Sequence, residues 1–146
     1  MERRPPMDGP GYEELDHPAD VGLRVRGTSR RELFENAARG MIELMVAPET
    51  VSSACLREIE AGGEDSEALL VGWLEDILFA FDAERFAPAF AEVSKLEGTR
   101  VAGRLWGEEF DEDRHEVRNL IKAVTWHNLQ IERSERGYEV TIIFDV

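Results

Sequence analysis

Two stretches of this sequence repeat their apolar residues with the period of a helix. The segments around them alternate with the period of a strand, and that order limits the fold more than any other feature. In "TSRRELFENAARGMIELMV", Leu33, Phe34, Ala37, Ala38, Met41, Ile42 and Met45 recur at the spacing of one helix face. Ser29 and Glu32, three positions apart, make a capping-box pattern at its start. In "EDSEALLVGWLEDILFAFDAER", Leu69, Leu70, Trp73, Leu74, Ile77, Leu78 and Phe81 form a second, broader stripe. Acids gather in its first turn, where they complement the helix dipole. Trp73 lies within that stripe and reads as a core residue.

The strand-like segments sit before, between and after the helices. "VGLRVRG" sets Val21, Leu23 and Val25 against small or charged neighbours, and "ACLREIEAG" reads as a strand with Cys55 as a small core residue inside it. Two more strands are expected over about 89–96 and 99–106, joined at Glu97-Gly98. "GEEFDEDRHEVRN" is too charged for a core and reads as a surface loop. The final "KAVTWHNLQIERSERGYEVTIIFDV" reads as a β-hairpin turning near Ser134–Gly137. The expected order is therefore strand, strand, helix, strand, helix and four strands. Lacking the βαβ alternation of a doubly wound fold, it predicts an α+β class, with two helices packed on a largely antiparallel sheet.

Charge and composition narrow the function. Thirty-one acids against seventeen Lys and Arg give a net charge of −14. Nucleic-acid binding rests on cations displacing counterions from phosphate, so a role in RNA biology would run through a protein partner or a metal ion. No apolar run approaches the ~20 residues of a membrane span. The start, "MERRPPMDGP", lacks the apolar region of a signal peptide, so residues 1–10 are expected to be a disordered lead and 11–146 a single domain. A single cysteine fits a reducing cytoplasm, the expected location.

Few patterns carry chemistry. There is no phosphate-cradling glycine loop and no cysteine pair for a thiolate zinc site. "FDEDRHE" begins like a calcium loop but has Glu116 where an EF-hand needs glycine. Two stretches remain. "LDHPADVG" brings Asp16, His17 and Asp20 together just before a strand. The final hairpin, read from its apolar pattern, sets Arg133 opposite Tyr138, Leu129 opposite Ile142, His127 opposite Phe144, and Asp145 across from Trp126. A one-residue slip would put His127 opposite Asp145 instead. In both registers His127 comes close to the carboxylates of Asp145 and Val146. Adjacent carboxylates repel, and bringing Asp16 or Asp20 alongside would demand a cation. Oxygen donors at that density suit Ca²⁺, Mg²⁺ or Mn²⁺.

Taken together, "YEELDHPADVG", "EALLVGWLEDIL", "GEEFDEDRHE", "KAVTWHNLQIE" and "VTIIFDV", in this order, closely resemble the archease family. The likeness runs from about Gly11 to Val146. Two departures stand out: Pro18 where the family loop has Thr, and Trp126 where it has Tyr. Both leave the candidate ligands in place, although Pro18 removes a hydroxyl and an N–H. The resemblance implies a non-enzymatic accessory protein that activates a GTP-dependent RNA ligase, promoting its guanylylation and turnover in tRNA splicing and RNA repair, with RNA met only indirectly. It also implies a divalent ion, calcium in the family, held by Asp20, Asp145 and Val146, with His17, Lys122 and His127 matching family motifs.

Two other readings compete. A metal-dependent phosphohydrolase would use Asp20 and Asp145 to hold the ion and His127 as general base. A general chaperone would need an exposed apolar patch well above ~400 Å².

Overall fold

Ser29 opens the first helix as its capping pattern predicts. The computed structural model describes residues 11–16 and 20–146, and of Asp16 only the backbone. Helix α1 spans Arg30–Met45, and the Ser29 side chain accepts a hydrogen bond from the Glu32 N–H. Glu32 Oε1 reaches back to the Thr28 N–H at 2.9 Å, so the box closes one residue earlier than its simplest form. The predicted stripe from Leu33 to Met45 is fully buried. Each such Leu, Ile, Phe or Met contributes about 1.5–3 kcal/mol relative to an exposed position.

Helix α2 spans Ser66–Asp82 behind an Asp65 cap that accepts from the Ala68 N–H. Trp73 lies in the core and donates from Nε1 to the Phe34 carbonyl at 3.0 Å, which ties α2 to α1. A lone indole N–H in the core would be costly, and this bond satisfies it.

Among the described residues eight strands complete the fold: β1 Tyr12–Asp16, β2 Asp20–Gly27, β3 Cys55–Gly62, β4 Phe86–Glu97, β5 Arg100–Glu109, β6 Ala123–Val124, β7 Glu132–Ser134 and β8 Gly137–Asp145. Every pairing is antiparallel. The class is α+β, as expected, but the strands form two sheets. One is β1-β2-β8 with β6 and β7 both paired to the far edge of β8; the other is β3-β5-β4. α1 packs on β2 and β4, and α2 on β3 and β4, so the helices bridge the two sheets over one core.

Three sequence expectations need correction. Cys55 is exposed at the start of an edge strand rather than buried. The charged loop after β5 is mostly exposed, yet His115 within it is buried. The last hairpin is interrupted. Arg133 does pair with Tyr138, but Val124 takes the place beside Phe144 expected for His127. From Val124 to Glu132 the chain takes eight steps, against five from Phe144 back to Glu139, so three extra residues bulge out. The bulge turns locally: Asn128 adopts a φ of 52°, and the Leu129 N–H donates to the Trp126 carbonyl at 3.2 Å. Asn tolerates that left-handed conformation better than other non-glycine residues. The expected first strand of the hairpin therefore splits into β6 and β7, giving five strands after α2 instead of four. The expected lead over 1–10, His17 and Pro18 lie outside the described residues.

Candidate functional site

The site is built where β2 and β8 end side by side. Along this pairing Val21 stands opposite Phe144, Leu23 opposite Ile142 and Val25 opposite Val140, and these residues face the core. The alternate positions face away from it. There Arg26 stands opposite Glu139, and their side chains form an ion pair at 3.1 Å. Six residues further along that same outward face, Asp20 stands directly opposite Asp145. Side chains so placed have Cβ atoms about 4.5–5.5 Å apart, and like charges there repel. The row beneath is apolar. Gly22 pairs with Ile143, and a Cβ built on Gly22 would meet Ile143 Cδ1 at 3.3 Å and Leu15 Cβ at 3.2 Å.

The end of β8 is held from both sides. On the β6 side Ala123 pairs with Asp145, the Lys122 N–H donates to the Asp145 carbonyl at 2.7 Å, and the Thr125 N–H donates to that of Ile143 at 2.9 Å. Asp145 and Val146 are exposed and Asp20 is half-buried. Asp16 ends β1 opposite Val21, next to Asp20 on the neighbouring strand. The donors are oxygens only, which suits a hard cation. Among the described residues no three His, Cys, Asp or Glu side chains gather as a metal cluster. Asp20 and Asp145 therefore fit a cation only with a further donor.

The comparisons with known proteins agree on what the whole chain is. A family model described as the Archease protein family (MTH1598/TM1083) matches residues 12–146. A protein archease of Sulfurisphaera tokodaii is 35% identical over 137 residues, covering 92% of this chain and 98% of its own. The chain belongs to the archease family. Another protein archease, from Saccharolobus islandicus, is 38% identical over 136 residues, again with 92% and 98% covered. The solution structure of protein 1598 from Methanobacterium thermoautotrophicum superposes with a TM-score of 0.80 at 34% identity, covering 94% of this chain and 99% of that one. The crystal structure of an archease from Thermotoga maritima, described there as a possible chaperone, gives a TM-score of 0.63 and covers 100% and 99%. At 21% identity that last likeness bears on the fold alone.

Within this archease-family chain the remaining candidates scatter. His127 lies on the bulge, exposed; its backbone N–H donates to Thr125 Oγ1, and its ring faces the Asn128 amide at 3.3 Å. Neither register read from the sequence holds, because Ala123, not Trp126 or His127, pairs with Asp145. Lys122 is tied to Asp145 through its backbone, and the residue also lines a cavity of about 430 Å³ with Glu75, Asp76 and Asp82 of α2. Burial, with a smaller push from Glu84, raises the Asp76 carboxyl above its ordinary range.

A second polar cluster was not foreseen. His115 Nδ1 accepts from the Asp111 N–H at 2.9 Å, which leaves the proton on Nε2, and Nε2 donates to Glu108 at 2.9 Å. Glu108 also accepts from the Ser52 N–H at 2.7 Å and from Arg114. The His115 bond above all, then the Ser52 N–H and Arg114, hold the Glu108 carboxyl down to about 2. "GEEFDEDRHE" carries all three side chains, but its charge hides the fact that one histidine turns inward. The cluster pins the loop after β5 to the segment that precedes β3.

Proposed function

We propose that this protein is a metal-binding accessory protein that activates a GTP-dependent RNA ligase, promoting its guanylylation and turnover in tRNA splicing and RNA repair. One observation carries the reading: Asp20 and Asp145 stand opposite each other on the outward face at the end of β2 and β8. Family membership supplies the context in which that acidic end has a use. A divalent ion, calcium in the first instance and Mg²⁺ or Mn²⁺ as alternatives, would be held by Asp20, Asp145 and the Val146 carboxylate. Asp16 and His17 are neighbours in sequence that could complete the shell. The bound ion would cancel the repulsion between the carboxylates and fix the end of β8.

In this reading the chain's own residues orient and present, and the chemistry belongs to the ligase. The partner is a protein, and RNA is met through it. Among the described residues no helix is long and apolar enough to cross a membrane, which accords with work in the cytoplasm. The phosphohydrolase alternative needs a base beside Asp145, and the bulge carries His127 away from that position. The test is ligase guanylylation with wild type and with Asp145→Ala at matched folded concentration. Loss of stimulation by the variant supports the reading, and equal stimulation removes this end of the sheet from the mechanism.

A further inference from the structure

At the opposite end of the β7–β8 hairpin the charge reverses. A cavity of about 710 Å³ opens between the start of α1, the last residues of β4 and the β7–β8 turn. Arg30, Arg31, Lys95, Arg133 and Arg136 line it, with Glu135 as the one acid among the described lining residues. A chain of net charge −14 thus gathers five of its seventeen cations around one hollow.

The local structure explains how they converge and why they are available. In β4 the register shifts between Val93 and Lys95, a bulge that re-aims the strand at the cavity wall. The β7–β8 turn is seated against the chain before α1. Gly137 has a φ of 121°, and a Cβ there would meet the Gly27 carbonyl oxygen at 2.3 Å. Arg30, Arg133 and Arg136 form no ion pair with a carboxylate among the described residues, and Arg133 lies over the Tyr138 ring. Arg31 and Lys95 meet Glu35 and Glu97 only at 3.7 Å.

The start of α1 adds to this cationic lining. The Ser29 side chain caps the Glu32 N–H, which leaves the first-turn N–H groups of Arg30 and Arg31 without intrahelical acceptors, at the positive end of the helix dipole.

We propose that this cavity binds a polyphosphate anion, as carried by a nucleoside triphosphate. The volume falls within the ~300–1,000 Å³ of small-ligand sites, and the cations are grouped as a polyphosphate tail requires. The acidic remainder of the surface repels a long nucleic-acid strand, whereas a small ligand meets chiefly the local cluster within a Debye length of about 8–10 Å.

Calorimetric titration of GTP and ATP into the full chain tests this, at low salt and with EDTA present, so that neither a ligase nor a divalent ion enters. The expected result is one binding event, weakened roughly tenfold by Arg30→Ala and again by Arg136→Ala. Arg39→Ala, an exposed arginine outside the cavity, should leave it unchanged. GMP should bind at least tenfold more weakly than GTP. Thermal melting of each variant confirms equal folding. Absence of GTP and ATP binding, or equal loss in the Arg39 control, overturns the proposal. So does a short RNA that binds with steep salt dependence while nucleotides do not, since that identifies a nucleic-acid surface.

Discussion

Asp20 and Asp145 pair across β2 and β8 with their side chains on the same outward face, six residues from the Arg26–Glu139 ion pair that marks that face. Opposite charges hold one end of this row together, and like charges meet at the other.

That contrast predicts a change of sign with metal. Without divalent ions, Asp145→Asn removes a like-charge contact and should raise stability by about 0.2–1 kcal/mol. With calcium at ~100 times its dissociation constant, the wild type gains about 2.7 kcal/mol, and the variant should gain much less. Thermal melts in EDTA and in calcium check both halves.

Residues appended after Val146 should weaken calcium binding and ligase activation together, because the proposed third donor is then an amide. A tagged chain that binds the ion as tightly as the untagged one makes that carboxylate a bystander.

Glu108 predicts a defined loss in acid. Its folded pKa of about 2 lies below the ordinary 4.5, so the unfolded chain binds the proton more readily. Its stabilising contribution is complete above the ordinary value and is lost as pH falls from there toward 2. Glu108→Gln should flatten the acid limb of a plot of melting temperature against pH, leaving the neutral region less affected in slope. Asp76 acts in the opposite direction. Its raised pKa means that this group's contribution improves as pH falls through the folded value, so Asp76→Asn should raise the melting temperature at neutral pH.

Trp73 joins the two helices. Trp73→Ala should cost about 3–5 kcal/mol through the cavity it leaves, whereas Trp73→Phe keeps most of the volume and loses the bond to the Phe34 carbonyl, costing less. Chemical denaturation of the two variants separates packing from the hydrogen bond.

Local periodicity made much of this fold legible. The helix stripes, the Ser29 cap, Trp73 in the core and the Arg133–Tyr138 end of the hairpin follow from patterns within a few residues. The rest is decided by a particular partner and not by the apolar period. Nothing local tells β3 that it is an edge strand, so Cys55 looked buried. His115 is drawn inward by Glu108 seven residues earlier and by Asp111, in a stretch whose charge argues for exposure. The bulge at Trp126–Asn128 depends on β6 finding Phe144 and Asp145 as partners, and it moved His127 off the site. Asp20 is legible as a candidate in its loop; its place opposite Asp145 is set by the central strand pairing of a sheet whose register no single strand contains.

The most direct test is a calorimetric titration of calcium into the metal-stripped full chain, comparing wild type with Asp20→Asn and Asp145→Asn. One site in the wild type, weakened at least tenfold in each variant while both remain folded, is the predicted result. No calcium binding by the wild type, with Mg²⁺ and Mn²⁺ equally inert, or the same affinity in all three proteins, would contradict a metal centre between β2 and β8.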